Sequence, residues 1–460
     1  MSNSAAGPRV TSVALSRRLA LWPALIVAVC SAQSPREKNA IALLERGRVD
    51  QAEQILLEAL KDEPRSESVN ALLGQIAFSR QNYSQAISRF QKAGAFLANN
   101  PLLQVNYAEA LLQSKTVDAA KRILNTLPAQ DSVAQFEAGL LLARFGQFAP
   151  AEDHFRLAKP GYPQPQVLAY NLALAQYNAG KFAESAATLE ELRKGASVDA
   201  DAVNLLGQAY AEAGEHQKAA AVLQEATKSY PRDERNYLAL AKLAIDTDAT
   251  AMGLEAVDRG LKYLPDSYAL LIQRGYLRLA QGMYKEAEAD YRCATELQPD
   301  SASPKIGLAF ILLQNQRQGE AASLLEQVLA SHPNFFVQYL MGELCIREGR
   351  EDDALGHLRK SAELEPNFSP AHTNLGKIYL KKNDAASAIR ELELAVRIDP
   401  EDVSAFYQLS MAYRRNGERE KAQAALAHVR ELNKDKRELG TTLFITRRLR
   451  KLRTAELSPF

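Results

Sequence analysis

A 34-residue stretch near the middle of the chain decides the fold. Residues 200–233 read ADAVNLLGQAYAEAGEHQKAAAVLQEATKSYPRD, and residues 369–402 repeat the pattern as SPAHTNLGKIYLKKNDAASAIRELELAVRIDPED. Both stretches place Leu-Gly at positions 7 and 8, Tyr at position 11, Ala at position 20 and Pro at position 32. A shared pattern of this length indicates a repeat architecture.

The same period appears in the spacing of prolines. They recur at 34 residues, with one interval of 33, as Pro231, Pro265, Pro299, Pro333, Pro366 and Pro400. Setting the register on them gives twelve units, the third about three residues short, that start near 33, 67, 101, 132, 166, 200, 234, 268, 302, 335, 369 and 403. A chain of 460 residues would otherwise suggest several globular domains, whereas the period predicts one array.

A small residue followed by a large apolar one marks the second half of every unit. Position 20 holds Ala, Ser or Gly, and position 24 is always large and apolar, as in Ala219 and Leu223. Since residues four apart share a helix face, the small one admits a neighbouring backbone and the large one fills the gap beside it. Turn signals such as Gly214–His216 precede this segment. Each unit is therefore predicted to be helix, turn and helix, with proline ending the second helix.

These units resemble the tetratricopeptide repeat, whose pattern is Trp, Leu-Gly, Tyr, Ala, Phe, Ala and Pro at fixed positions. The best matches are Leu206, Gly207, Tyr210, Ala219, Leu223, Ala226 and Pro231, and Leu375, Gly376, Tyr379, Ala388, Leu392, Ala395 and Pro400. The units depart from the pattern in lacking its early Trp and in placing Ala241 and Ala309 at the glycine position. The resemblance covers residues 33–436. It implies an all-α fold, a right-handed α-solenoid superhelix of antiparallel helical hairpins with a concave groove.

The segment before the repeats has the layout of a secretory signal peptide. Basic residues precede an apolar run, Leu19–Cys30, and the small residues Ser31 and Ala32 follow it. The run is shorter than the roughly 20 residues that a spanning helix needs. We expect residues 1–32 to be removed near Ala32, which would leave an extracytoplasmic array, periplasmic or secreted.

Other interpretations of this leader remain open. Val27–Cys30 resembles a lipoprotein box that would attach a lipid to Cys30, although Val29 stands where a small residue is usual. Ser16–Arg18 resembles a twin-arginine export signal. An uncleaved leader would anchor the repeats to one side of a membrane.

Composition and charge exclude several classes of protein. With 56 basic and 55 acidic residues the formal charge is +1, so no global field attracts nucleic acid. Three cysteines, Cys30, Cys293 and Cys345, are too few for a disulfide framework, and we expect the last two to be buried, inert thiols. The six histidines form no pair at metal-ligand spacing. Because the repeats occupy most of the chain, we predict a non-catalytic protein without metal or cofactor.

The first helix of each unit supplies the candidate binding residues. Positions 4, 7, 8 and 11 form the packed stripe, so positions 2, 5, 9 and 12 face elsewhere, and in the resembled family they line the groove. The groove candidates are Phe136, Tyr170, Leu174, Tyr177, Tyr276, Phe310 and Tyr339. Aromatic anchors carry much of the energy of recognition, so we predict that an exposed run of these residues binds a protein or peptide. Alternatively, the rings pack between adjacent first helices.

The C-terminal segment, residues 437–460, carries a basic cluster. Its members are Arg447, Arg448, Arg450, Lys451 and Arg453. They suit either a polar cap over the last repeat or a contact with anionic lipid or an acidic partner. No nucleic-acid partner is expected for a protein with an export leader.

Two functions are consistent with these features. The leading hypothesis is an extracytoplasmic scaffold that binds partner proteins or extended peptides in its groove. The alternative is a structural or assembly component of an envelope export, polysaccharide-secretion or pilus-type complex, which is inferred from fold and leader alone. The sequence leaves the oligomeric state and the partner open.

Overall fold

Every regular element is an α-helix in the residues that the computed structural model describes, 34–195 and 199–439. Within them the helices form twelve consecutive pairs, each a first and a second helix, plus one short additional helix. The first helices are α1 Pro35–Glu45, α3 Glu67–Ser79, α6 Pro101–Gln113, α8 Ser132–Arg144, α10 Pro165–Asn178, α12 Ala200–Glu212, α14 Glu234–Asp246, α16 Tyr268–Ala280, α18 Ala302–Gln314, α20 Phe335–Arg347, α22 Ser369–Lys381 and α24 Val403–Arg415. The second helices are α2 Val49–Asp62, α4 Tyr83–Lys92, α7 Val117–Leu124, α9 Phe148–Ala158, α11 Phe182–Gly195, α13 His216–Ser229, α15 Thr250–Tyr263, α17 Tyr284–Leu297, α19 Gln318–Ser331, α21 Glu351–Leu364, α23 Ala385–Ile398 and α25 Arg419–Leu439. The additional helix is α5 Gly94–Ala98. The predicted all-α fold of helix-turn-helix repeats is confirmed.

Two compact units divide the chain, Met1–Ala219 and Ala220–Phe460, called here the N-terminal and C-terminal units. Each has apolar cores that run through successive helix pairs, because one amphipathic hairpin cannot bury its own apolar stripe. Among the described helices, none has both the length and the apolar character that crossing a bilayer requires.

Polar side chains and glycines set the ends of the helices. The Asp131 carboxylate accepts a hydrogen bond from Ala134 N at 3.0 Å, which caps the start of α8. Gly282 follows α16 with φ 75°, a left-handed conformation that costs glycine little. These local signals explain where α8 begins and where α16 ends.

Packing within a repeat depends on the predicted small and large positions. Position 20 is buried in every repeat, and the large residue at position 24 lies against the glycine of the first helix. A Cβ added at Gly376 would lie 2.4 Å from Leu392 Cγ, and one at Gly139 would lie 2.6 Å from the Phe155 ring. The two helices of a repeat therefore approach more closely than an alanine would allow.

A polar pair joins the two helices where the family pattern carries Trp, at position 4. His154 Nδ1 is 2.6 Å from Gln135 Oε1, and His357 Nδ1 is 2.8 Å from Gln338 Oε1. In the repeat that begins with α22 the histidine and its partner exchange places, since His372 bonds Glu391 at 2.7 Å. Hydrogen bonds at this point replace the contact area of an indole.

A second kind of polar contact joins neighbouring repeats. Tyr413 donates to Glu393 at 2.7 Å, and Tyr379 accepts from Arg359 at 2.8 Å. Each of these tyrosines lies at position 11 of a first helix and reaches the second helix of the preceding repeat. Ion pairs such as Lys181–Glu152, at 2.8 Å, add to this link.

Candidate partner-binding surface

The seven predicted groove residues differ in their exposure. Phe136, Leu174, Tyr276 and Tyr339 are buried, whereas Tyr170, Tyr177 and Phe310 are half-buried. Four of the seven candidates, including three of the six aromatic residues, are therefore not exposed as expected. Their burial fits the alternative interpretation, in which the rings pack between helices.

Phe136 belongs to an aromatic stack inside the N-terminal unit. Its ring stacks on Tyr162 with a centroid separation of 4.1 Å and an interplanar angle of 25°. It also contacts Phe155 at 5.5 Å. Because Tyr162 lies outside the periodic stripes, between α9 and α10, the position of Phe136 within its helix did not reveal this contact.

Tyr339 is held in a comparable cluster in the C-terminal unit. Its ring lies edge-on to Phe368 at 5.1 Å and stacks with Phe336 at 5.9 Å. Its hydroxyl donates to Glu343 Oε1 at 3.2 Å. Phe368 immediately precedes α22, so the last residue of the same repeat covers the ring.

An apolar surface does exist on the first helices of the N-terminal unit. Val133 on α8 and Val167 on α10 are 41% and 38% exposed. One face of α10 carries Val167, Tyr170 three residues later and Tyr177 seven residues after that, because these spacings return to the same side of a helix. The equivalent face of α8 carries Val133 and Leu140, which are seven residues apart. We call these five residues the apolar face.

Contacts with neighbouring first helices and turns position the apolar face. The helices α8 and α10 contact each other. The Tyr177 ring lies edge-on to Phe182 at 5.3 Å, and its hydroxyl is 3.5 Å from Gln208 Oε1 on α12. Burial, with a smaller contribution from Glu212, raises the pKa of Tyr177 to about 12, so the hydroxyl stays neutral and can donate.

Val133 and Val167 were missed by the sequence reasoning. Both lie at position 2 of their repeats, one of the four positions predicted to line the groove, so the sequence did contain the information needed to find them. The predicted set held six aromatic residues and Leu174 but did not include these two valines.

Amide side chains form a second set of contacts between first helices. Asn106 Nδ2 donates to Gln75 Oε1 at 2.8 Å, and Asn374 Nδ2 donates to Glu343 Oε1 at 2.7 Å. Asn171, at the equivalent position, donates instead to Val167 O of its own helix. These amides fix neighbouring first helices relative to each other within a unit.

A cluster of two arginines and two aspartates surrounds the buried Asp290 in the C-terminal unit. Arg274 and Arg278 each donate to the buried Asp290 at 2.7 Å, and Arg274 also pairs with Asp258 at 3.0 Å. Burial raises the pKa of Asp290, and the two guanidinium groups oppose that effect. Each of the two arginines pairs with both aspartates, so the cluster neutralises its own charge.

Residues suited to redox or metal chemistry do not assemble in the described chain. Cys345 is buried, and burial raises the pKa of its thiol. Cys293 is exposed, so the expectation that it is buried was wrong. Within residues 34–195 and 199–439, no group of three or more His, Cys, Asp or Glu could hold a metal ion. Cys30 and the basic tail residues Arg447, Arg448, Arg450, Lys451 and Arg453 lie outside the described residues.

Family comparison identifies the repeats. Tetratricopeptide repeat models match residues 38–101 and 170–234, residues 77–145, 278–344 and 346–410, and residues 403–436. Together these matches cover more than half of the chain. The chain is a tetratricopeptide repeat protein. Repeats of this family typically serve as non-catalytic scaffolds for protein interactions, so protein partners are supported for this chain.

Several proteins are similar to this tetratricopeptide repeat protein. The TPR repeat-containing protein YpiA of Bacillus subtilis is 24% identical over 428 residues, which are 88% of this chain and 97% of that protein. DnaJ homolog subfamily C member 3 of Bos taurus is 24% identical over 228 residues, 43% of this chain and 42% of that protein. The match thus spans less than half the length of the latter relative.

Solved structures were also matched to this tetratricopeptide repeat protein. One is the APC/C hetero-tetramer Cut9-Hcn1, at 13% identity and TM-score 0.45, covering 94% of this chain and 98% of that chain. Another is yeast Tom70, at 15% identity and TM-score 0.42, covering 91% and 96%.

Proposed function

We propose that this protein is an extracytoplasmic scaffold that holds an extended, apolar segment of a partner protein against the apolar face. The observation that carries the proposal is the exposure of Val133 and Val167 beside the half-buried Tyr170 and Tyr177. The exposed part of these aliphatic side chains adds nothing to folding stability. Covering them with a partner removes apolar surface from water.

The energetics favour a peptide with apolar side chains. Complete burial of a valine side chain contributes about 1.5 kcal/mol or more, and roughly 60% of each valine here is already covered. The two tyrosines add partly exposed ring surface and hydroxyl donors, a combination that is enriched at binding hot spots. Several such contacts are needed, which suits a segment lying across both α8 and α10.

The proposed location outside the cytoplasm rests on the sequence of residues 1–32. Basic residues, a short apolar run and a cleavage site made of small residues are the features that export machinery recognises. A lipid on Cys30 or an uncleaved leader would keep the array at a membrane surface. The basic tail would strengthen that association if it contacts anionic lipid.

A second candidate function is a structural component of an envelope export, polysaccharide-secretion or pilus-type complex. Apolar residues exposed on second helices favour it. They include Leu57, Leu157, Leu297 and Leu364, which are between 39% and 53% exposed. A protein docked into a large assembly would use such residues, whereas a peptide scaffold would use the first helices.

Site-specific photo-crosslinking distinguishes these functions. A photoreactive phenylalanine is placed at Val133, at Val167, at Leu364 or at the exposed control position Glu58, and adducts formed in the source cells are identified by mass spectrometry. We expect one protein to be captured from positions 133 and 167 and not from position 58. Capture from position 364 alone would support the assembly component and would contradict the scaffold.

A further inference from the structure

Charge is unevenly distributed over the first helices, although the whole chain is nearly neutral. In the N-terminal unit, the first helices from α3 to α12 carry five acidic residues and one basic residue, Arg144. In the C-terminal unit, the last three first helices, α20, α22 and α24, carry one acidic residue, Glu343. Their basic residues, called here the basic face, are Arg347, Lys377, Lys381, Arg414 and Arg415.

The basic face forms a row across three consecutive repeats. Arg347, Lys381 and Arg415 occupy position 13 of successive first helices, and Lys377 lies one turn before Lys381 on the same side of α22. The Asn374–Glu343 hydrogen bond joins α20 to α22, and α22 contacts α24. The three helices are therefore neighbours.

Acidic residues of the chain compensate Arg347 and Lys381 only weakly. Arg347 lies 3.8 Å from Glu343, whose other oxygen accepts from Tyr339 and Asn374. Lys381 lies 3.4 Å from Glu351, and the Lys381 side chain is 60% exposed. Solvated pairs of this kind contribute little, so an external carboxylate can replace them at low cost.

The two arginines at the end of α24 have no carboxylate within ion-pair distance in the described part of the chain. Arg414 Nη2 contacts Met411 Sδ at 3.1 Å. Arg415 donates to Leu380 O and to Asn383 Oδ1. Both side chains are exposed. Basic residues in a last helical turn are partly explained by the helix dipole. Lys377 lies in the middle of α22, one turn before Lys381, and donates to Asn374 Oδ1 at 3.3 Å.

We propose that the basic face docks an extended acidic segment of a partner protein. This proposal rests on the proposed scaffold function but uses a different surface, in the other unit. Packed helices lie about 8–10 Å apart, and an extended chain in the polyproline II conformation advances about 3.1 Å per residue with three residues per turn, so every third side chain faces a new first helix. The fitting segment therefore has Asp or Glu at every third position.

Features beside the row favour a peptide over a nucleic acid or a lipid surface. Tyr407, 48% exposed, and the half-buried Met411 share α24 with the two arginines and can receive apolar side chains between the carboxylates. Glu343 interrupts the row of basic residues and would repel an unbroken series of phosphates. Spaced carboxylates avoid it.

Fluorescence anisotropy of the full chain tests this proposal. The probe is a labelled twelve-residue peptide of four Glu-Ser-Ser units, and the matched control peptide has four Gln-Ser-Ser units. We expect binding of the Glu peptide that weakens as NaCl rises from about 20 to about 300 mM, because salt screens exposed charges. Lys381→Ala with Arg414→Ala should weaken it about fivefold. Arg144→Ala, at position 13 of α8 in the acidic N-terminal unit, should change nothing.

Several outcomes overturn the proposal. One is equal affinity for the Glu and Gln peptides. A second is unchanged binding of the Glu peptide by the Lys381→Ala, Arg414→Ala variant. A third is that a thymidine oligonucleotide or phosphatidylglycerol vesicles bind as tightly as the Glu peptide, or more tightly, at the same salt concentration. Circular dichroism confirms that each variant is folded. Loss of acidic-peptide binding with retained crosslinking at Val133 would refute this site alone, whereas the reverse result would refute the apolar face alone.

Discussion

His154 Nδ1 lies 2.6 Å from Gln135 Oε1 inside the N-terminal unit, and both side chains are buried. Gln135 Nε2 donates to Leu127 O and Pro128 O, which orients its oxygen toward the ring. The histidine therefore donates a hydrogen bond from Nδ1, and in the neutral ring Nε2 carries no proton. Protonation of the ring would place a charge in the core.

Acid should destabilise the protein through this histidine. Burial lowers the pKa of His154 below its ordinary value of 6.5, so the unfolded chain takes up a proton at a higher pH than the folded chain does. The stability due to neutral His154 is present above about pH 6.5 and declines below it. We expect a lower Tm at about pH 5.5 than at about pH 7.5 by circular dichroism. His154→Gln should reduce that difference.

Close helix approach predicts opposite effects for two glycine substitutions. Gly376→Ala brings a methyl group against Leu392, so we expect a loss of about 1–3 kcal/mol in the free energy of unfolding. At Gly356 on α21 an added Cβ would meet no neighbouring atom within 4 Å, so Gly356→Ala should add about 0.5–1 kcal/mol to the free energy of unfolding. Urea denaturation measures both. Equal effects of the two changes would contradict the packing at position 8.

Tyrosines of the apolar face should matter for binding more than for stability. Tyr170→Ala with Tyr177→Ala should abolish crosslinking from Val133, with a small shift in thermal unfolding. Phe136→Ala, by contrast, removes a fully covered ring and should cost about 3–5 kcal/mol. If the double tyrosine variant unfolds several degrees earlier and its folded fraction still binds, these rings are core residues.

Export predicts the mass of the mature protein. Intact-mass measurement on protein recovered from the envelope or the medium should give a chain that begins near Gln33. An N-terminal residue at position 30 with the added mass of a lipid would establish the lipoprotein alternative. A mass that includes residues 1–32 would exclude cleavage.

The sequence predicted the helix pairs because their determinants are local and periodic. Ala219, Leu223 and the prolines mark contacts that recur at the same offset in each repeat. Exposure of the groove residues could not be predicted as well, because it depends on residues outside the period. Tyr162 covers Phe136 from a connecting segment. The short helix α5 likewise occupies positions where other repeats continue their second helix, and the break before it, at Gly94 with φ 45°, follows no repeated signal.

The polar pair at position 4 was also outside the reach of pattern matching. Loss of the family Trp was visible in the sequence, but its replacement by Gln135 with His154 required knowing which residue of the second helix faces that point. The pairs lie nineteen residues apart each time, which is a detectable spacing once one example is known.

The two kinds of polar contact bear on how freely the modules of this array can be exchanged. A pair such as Gln338–His357 lies within one repeat and would travel with it if that repeat were duplicated or moved. The bond between Tyr413 and Glu393 joins two repeats and would be broken by the same event. A transplanted repeat would thus keep the hydrogen bond between its own two helices and lose the hydrogen bond to the neighbouring repeat. The hydrogen bonds between repeats therefore depend on the order of the repeats. A tandem duplication would place side chains that do not form such a bond at each new boundary, and this mismatch would be identifiable.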